Sequence, residues 1–218
     1  RQAAARMALS DAHPVLGIEP DQPLVVTHGA LHGDAGMIDL VHAWPVVNQQ
    51  MPAAKLWILG DGVRSRKVWD EIKDSSLTHS IVMPGYIDDW EDVFQAADLY
   101  VHPLRHGGPT SALFSAVANQ LCCLVTDAAT ASLLPCAGDE LEPPQTIEFR
   151  RNENAIIAPT ANPAALGEAL LMAIRQPDLR ARLGRQAKRD FQPAVDIRGV
   201  ANNWMHLIGQ PHSSMEAS

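Results

Sequence analysis

Four of the nine histidines lie in two short segments of the chain, each at the end of an apolar run. His28 and His32 belong to the first segment, and His102 and His106 belong to the second. Imidazole can bind an anion when it is protonated, can ligate zinc or a similar ion, or can serve as an ordinary structural side chain. Three interpretations are therefore open: separate structural histidines at strand ends, an imidazole cluster that cradles phosphate, or a metal site.

The same two segments, His28–Gly36 and Pro103–Thr110, are rich in glycine. Glycine lets a backbone approach a phosphate closely, and free N–H groups at the start of a helix favour an anion. Thr110 or Ser111 would cap the helix that follows the second segment and leave such groups exposed. The pattern predicts an anion site, with simple tight turns as the alternative.

Other polar residues have simpler explanations. The acidic residues within 88–92 stand at the start of a predicted helix, where they complement the helix dipole. Asp61 lies in a Gly-Asp-Gly turn, which accounts for its presence. Ser111 follows His106 closely, but the chain offers neither a third member nor the elbow motif of a hydrolase, so acyl transfer is not predicted.

Short apolar runs alternate with segments of helical periodicity from Pro23 onward, which is the pattern of βαβ units. The predicted strands are Leu24–His28, Lys55–Gly60, Ser80–Met83, Leu99–His102 and Leu121–Val125, with weaker ones at Thr146–Phe149 and Ala155–Ile157. The predicted helices cover Met37–Val47, Val68–Lys73, Trp90–Ala97, Ser111–Asn119, a segment from Pro163 to Ile174, Asp178–Phe191 and Ile197–Ile208. Trp44, Trp57, Trp90 and Trp204 fall on apolar faces and are predicted to lie in the core.

These elements predict an α/β fold with a doubly wound, parallel, Rossmann-like sheet and helices on both faces. Strand order 3-2-1-4-5-6 places the loops after strands 1 and 4 side by side, where ligands of such folds bind. We expect residues 1–22 to be a lead-in helix and linker, residues 23–208 the Rossmann-like domain, and residues 209–218 a loose tail.

Composition excludes several classes of protein. The 218 residues are 46% hydrophobic and carry a formal charge of −8, which argues against a general nucleic-acid or anionic-membrane surface. No apolar run approaches the roughly 20 residues that span a bilayer. Cys122, Cys123 and Cys136 cannot form a disulfide framework, and we expect reduced, buried thiols and a cytoplasmic location. The start at Arg1 suggests a piece of a longer protein.

The order of motifs resembles the C-terminal domain of GT-B glycosyltransferases of the retaining, family-4 (group 1) kind. The resemblance covers nearly the whole chain and rests on six segments in the family's order. These are Leu24–Gly36, Ala54–Gly62 with its G-x-G turn, Val82–Tyr86, Ala96–Pro103 with its A-A-D, Gly108–Asp127, and Asn162–Leu183.

This resemblance implies a domain that binds a nucleoside-diphosphate sugar and transfers the glycosyl group to an acceptor on a separate N-terminal domain. It implies no cofactor besides the donor. By resemblance and loop position, the donor and phosphate contacts would come from Gly29, His32, His106, Gly107, Gly108, Pro109, Thr110 and Ser111, and the nucleoside contacts from Gly85, Tyr86 and Ser115. No catalytic residue is assigned.

The sequence departs from the family where charge is usual. The family's arginine and lysine of the first loop fall on Ala30 and Ala35, and its two glutamates fall on Gly107 (or His106) and Ser115. The usual glycine and proline after the next helix are replaced by Gln120 and Cys122. Losing one electrostatic donor commonly costs roughly 10²–10³ in rate.

A second interpretation is therefore a catalytically degenerate scaffold or a weak nucleotide-binding module, and a third is a GT-B-type nucleotide-sugar epimerase, for which the sequence offers no catalytic carboxylate. Whether Arg105, the other basic side chain of the second loop besides His106, reaches the crevice would discriminate between the first two.

Overall fold

A computed structural model describes residues 1–32, 36–87, 90–106, 110–130, 133–136 and 145–192. Six of the described strands form one parallel sheet. Numbered along the chain, they are β1 Leu24–His28, β2 Lys55–Leu59, β3 Ile81–Gly85, β4 Leu99–His102, β5 Cys123–Thr126 and β8 Ile156–Ala158. Their order across the sheet is β3-β2-β1-β4-β5-β8. The predicted doubly wound order is confirmed, with β8 as the sixth strand.

Helices cover both faces of this sheet. They are α1 Gln2–Ala12, α2 Met37–Gln50, α3 Ser65–Asp74, α4 Trp90–Ala96, α5 Ser111–Ala118, α6 Pro163–Arg175 and α7 Pro177–Asp190. Alternate strand residues point to opposite faces, so Val25 packs in the cluster under α2, α3 and α6, whereas Val26 packs in the cluster under α1, α4 and α5. Trp44 and Trp57 are fully buried, as predicted.

Two strands form a separate antiparallel pair that the sequence analysis did not predict as a pair. They are β6 Leu133–Cys136 and β7 Gln145–Ile147. Pro135 lies within β6, although proline cannot donate to a strand ladder and is therefore uncommon inside one. The predicted helix Ile197–Ile208, with Trp204, and the tail 209–218 lie outside the described residues.

The fifth strand begins two residues later than predicted, at Cys123. The N–H of Leu121 donates to Ala116 O and that of Gln120 donates to Val117 O, so these residues still close the end of α5. Gln120 takes the left-handed conformation, with φ of 61°, that usually falls to glycine at this point. The first residues of the predicted strand therefore belong to the end of helix α5 instead.

Helix α1 packs against α4, and its Leu9 is almost completely buried. Cys122 and Cys123 are buried free thiols, and burial raises the pKa of Cys122 to about 12.

Among the described residues, no helix has the length and apolar character needed to cross a bilayer. The division of the chain at residues 22 and 208 stays a prediction.

Candidate functional site

The candidate site lies where β1 and β4 end side by side. Val25 pairs with Leu99 and Val26 with Tyr100, so the parallel register brings the strand ends His28 and His102 to the same edge. On one side of this β1–β4 pair the next strands along the sheet are β2 and β3, and on the other side they are β5 and β8, so the order of the strands reverses between β1 and β4. This is the switch point at which open α/β sheets bind ligands.

All four histidines of the two loops line one cavity of about 290 Å³, which we call the histidine pocket. The structure thus brings together the residues that the sequence placed on two separate loops. The remaining lining residues are Gly29, Ala30, Met37, Pro103, Leu104 and Thr110.

The histidines differ in exposure. His102 is buried, and its ring stacks on that of Tyr100 with the centroids 6.2 Å apart. His28 is half-buried, and desolvation lowers its pKa to about 4, so this imidazole is neutral at pH 7. His32 and His106 are exposed at the mouth. The outer pair is therefore accessible to a ligand, whereas His28 presents a neutral ring.

A metal site was one of the three interpretations of these histidines. Within the part of the chain that the structure describes, no group of three or more His, Cys, Asp or Glu side chains could hold a metal ion together. Nothing in the pocket's geometry thus favours a metal over the other two interpretations, which are structural histidines and a phosphate cradle.

A second cavity of about 250 Å³, the nucleoside pocket, adjoins the first. It is lined by His28, Tyr86, Ser111, Ala112 and Ser115, so His28 borders both cavities. Tyr86 is two-thirds exposed, and its ring offers a face for stacking. Three of the residues that the sequence assigned to a nucleotide, Tyr86, Ser111 and Ser115, thus share one cavity.

The start of α5 faces this second cavity. Thr110 caps the helix, its hydroxyl accepting the N–H of Leu113 at 3.4 Å. The first N–H groups of a helix have no acceptor within it, and here they belong to Ser111 and Ala112, which line the nucleoside pocket. Gly107, Gly108 and Pro109, which were predicted to contact phosphate, lie outside the described residues.

In the described part of the first loop, the N–H groups of Gly29, Leu31 and His32 already donate to backbone carbonyls. The N–H of Gly29 donates to Leu59 O at 3.2 Å and that of His32 donates to Ala30 O at 2.8 Å. Gly29 lines the histidine pocket, but its N–H is already used by β2. A phosphate-binding role for Gly29 stays a prediction, and so does a nucleoside-binding role for Gly85, which has a φ of 87° and lines neither pocket.

Asp61, in the turn after β2, is held by its neighbours. Its carboxylate accepts from the Ser65 hydroxyl at 2.6 Å and from the Gly62 N–H at 2.7 Å. These bonds, the Ser65 bond most, lower the pKa of Asp61. The geometry agrees with a turn residue, as the sequence suggested.

Two supporting residues escaped the sequence analysis. Buried Tyr100 donates its hydroxyl to His28 O at 3.2 Å and thereby ties β4 to the end of β1. Buried Asp39, on α2, binds Arg105 through two contacts of 2.6 Å. A buried acid in the helix after the first loop was the available signal, because buried carboxylates need a partner.

The pairing of Arg105 answers the question of charge in the crevice. Its guanidinium is engaged by Asp39, and it lines neither cavity. Ala30, at the position of the family's arginine, lines the histidine pocket, and Ser115, at that of the second glutamate, lines the nucleoside pocket. Among the described residues, no lysine or arginine lines either cavity. Ala35 lies outside them.

A cavity of about 390 Å³, larger than either pocket, lies at the opposite end of the sheet. Its lining includes Asp98 and Cys122, which directly precede β4 and β5, and Arg180. Size alone favours this cavity, but ligands of open parallel sheets bind at the carboxyl ends of the strands. We therefore place the candidate site at the histidine and nucleoside pockets.

Comparison with known proteins shows the family to which the chain belongs. The family model described as glycosyl transferases group 1 matches residues 22–176. The poly(glycerol-phosphate) alpha-glucosyltransferase of Bacillus subtilis is 31% identical over 87 residues, which is 40% of this chain and 13% of that enzyme.

Solved structures share the fold. HepE from Anabaena, in complex with UDP and glucose, superposes with a TM-score of 0.76 at 14% identity, over 97% of this chain and 53% of that one. The C-terminal domain of LpcC, a group 1 family protein from Francisella tularensis, gives 0.69 at 14% identity, over 90% and 94% of the two chains. The chain thus spans about half of HepE and a small part of the glucosyltransferase. On the extent of the family match, the chain belongs to the group 1 glycosyltransferases.

Proposed function

We propose that this chain is the nucleotide-sugar donor-binding domain of a glycosyltransferase, which transfers a glycosyl group from a nucleoside-diphosphate sugar. The acceptor would be held by an N-terminal domain of the same protein, no cofactor besides the donor would be needed, and the enzyme would work in the cytoplasm. The observation that carries the proposal is the pair of cavities joined at His28, at the switch point of a group 1 fold.

Each cavity suits one part of the donor. The Tyr86 ring and the hydroxyls of Ser111 and Ser115 suit the base and ribose, since aromatic faces stack on bases and hydroxyls bond sugars. The N–H groups at the start of α5 suit the diphosphate. The histidine pocket suits the remaining phosphate and the sugar, because neutral imidazole both donates and accepts.

The chemistry that these residues would supply is electrostatic. Negative charge grows on the leaving diphosphate, and preorganised donors aimed at that charge lower the barrier. His32 and His106, exposed at the pocket mouth, would supply ring N–H donors aimed at this negative charge.

A second candidate is a nucleotide-binding scaffold without catalysis. The observation that favours it is the Asp39–Arg105 pair, which engages the arginine of the second loop. The two candidates differ in what happens to the bound donor: only the first cleaves the bond between sugar and diphosphate.

Calorimetry tests the proposal. The 218-residue chain is titrated with UDP and with GDP at low salt, at pH 6 and pH 8, with and without zinc. We expect micromolar binding of one diphosphate. No binding of either diphosphate under any condition would contradict the donor-site proposal and leave the scaffold role.

A further inference from the structure

Three cations cluster at the start of α3, beside the candidate site. Arg64 stands at the N-cap, and Arg66 and Lys67 lie in the first turn, which holds no acidic residue. The positive end of the helix dipole disfavours cations at this position. The cluster therefore works against helix stability, in a chain whose formal charge is −8.

The turn that carries Arg64 contacts the wall of the histidine pocket. The N–H of Arg64 donates to Leu31 O at 2.9 Å, and the N–H of Val63 donates to His32 Nδ1 at 3.3 Å. His32 lines the pocket. The backbone of Arg64 is thus fixed one residue away from the pocket lining.

The side chain of Arg64 is exposed and makes no hydrogen bond or ion pair with the described residues. Three other cations nearby do have partners: Arg66 lies 3.9 Å from Asp70, Lys73 lies 2.8 Å from Asp70, and Arg105 is bound by Asp39. An arginine without a partner can turn toward a ligand without first breaking an ion pair.

We propose that Arg64 binds the diphosphate of the donor and supplies a guanidinium charge, since no described lysine or arginine lines either cavity. The proposal rests on the proposed donor-binding function, and it assigns the contact to the β2–α3 turn instead of the first loop. Guanidinium suits this task because its planar fork donates two parallel bonds to phosphate oxygens. Its long side chain would reach over His32 toward the pocket mouth.

The test compares two arginine variants of the same helix turn. Arg64→Ala and Arg66→Ala remove the same charge from the same short segment, but only Arg64 neighbours His32 through the backbone. Calorimetry with UDP and GDP gives the affinity for the diphosphate, and uridine and guanosine give the affinity without it. Circular dichroism checks that both variants remain folded.

We expect Arg64→Ala to weaken binding of the diphosphate at least roughly tenfold, as loss of a charged hydrogen bond predicts, and to leave nucleoside binding unchanged. Arg66→Ala should weaken it much less, and Arg64→Lys should restore part of the affinity. Equal losses in the two alanine variants, or no loss in Arg64→Ala, would overturn the assignment while leaving the donor site standing. If the wild-type chain binds neither diphosphate, the donor-binding function itself fails, and the assignment of Arg64 fails with it.

Discussion

The two ends of the parallel sheet satisfy charge in opposite ways. At the amino ends of the strands, Asp98 binds Arg6 at 2.9 Å and lies 3.8 Å from Arg180, and all three side chains are largely buried. At the carboxyl ends, the two cavities are lined by imidazoles and hydroxyls. The charged side chains of Arg6, Asp98 and Arg180 bind one another within the fold, whereas polar groups at the second end remain available to a ligand.

The amino-end network ties four parts of the chain together. Asp98 also accepts the N–H of Leu24 at 2.8 Å, at the start of β1. Arg6 donates to Ala96 O and to the carbonyls of residues 19, 20 and 22. This arrangement indicates a structural role, and it makes stability and ligand binding separable by mutation.

The largest effect should come from Asp98→Ala. It leaves the buried Arg6 guanidinium without its carboxylate, and breaking a buried pair costs about 3–5 kcal/mol of the free energy of unfolding. Urea unfolding measures this loss. Asp70→Ala, which removes an exposed pair with Lys73, is the control and should leave stability nearly unchanged.

In the surviving folded fraction, Asp98→Ala should bind UDP or GDP as tightly as wild type does. A variant that unfolds at the wild-type urea concentration would show that the Asp98 pair does not stabilise the fold. A variant that stays folded but loses nucleotide binding would show that the two ends are not separate.

The converse experiment is the double variant His32→Ala, His106→Ala. Both side chains are exposed, so stability should stay within about 0.5 kcal/mol of wild type. Diphosphate affinity should fall roughly tenfold or more, because two side-chain hydrogen-bond donors are lost. Calorimetry with UDP and GDP measures it, and wild-type affinity in the double variant would refute a binding role for these two imidazoles.

A smaller effect concerns His28 and pH. Burial lowers the pKa of His28 to about 4 in the folded chain, below the value of about 6.5 expected when the chain is unfolded. The unfolded state therefore takes up a proton first, so this contribution to stability is complete above about pH 6.5 and is lost as pH falls toward about 4. The loss is at most about 2 kcal/mol, since the half-exposed ring is screened by solvent.

Urea unfolding of wild type and His28→Gln at pH 7.5, 6 and 5 isolates this contribution. The difference in unfolding free energy between the two proteins should shift in favour of the variant as pH falls. A difference that stays constant over this range would mean that His28 titrates alike in both states.

The smallest effect is expected for Gln120→Gly. Gln120 has a φ of 61° at the end of α5, a conformation that glycine adopts without strain. The substitution should raise the free energy of unfolding by about 0.5–1 kcal/mol, measured by urea unfolding. Asn119→Gly, one residue earlier at a φ of −82°, is the control and should not stabilise the chain.

Sequence patterns predicted the sheet because its strands are apolar runs bounded by clear turn residues. β1 and β4 begin and end where predicted, at Leu24–His28 and Leu99–His102. β5 was misplaced because its first predicted residues follow a helix end in which Gln120 replaces the usual glycine. β7 overlaps the weaker strand predicted at Thr146–Phe149, but its partner β6 was missed because it contains Pro135, which cannot donate to a strand ladder.

For the site, the sequence identified the four histidines, and register then brought them together. It did not reveal that Asp39 engages Arg105 or that Tyr100 ties β4 to β1, because these contacts join residues 66 and 72 positions apart. Such long-range contacts depend on how elements pack, which local patterns do not encode.

The most direct test of the account is to map nucleotide binding on the two ends of the sheet. Amide chemical shifts of the isotope-labelled chain are followed by NMR while UDP, and separately GDP, is added at pH 6. The account predicts that shifts change at His28, Tyr86, Ser111 and Ser115 and stay fixed around Asp98 and Arg180. Changes centred on the cavity of about 390 Å³ at the amino ends of the strands, beside Asp98 and Arg180, would contradict a donor site at the carboxyl ends of β1 and β4. The absence of changes with either nucleotide would contradict it as well.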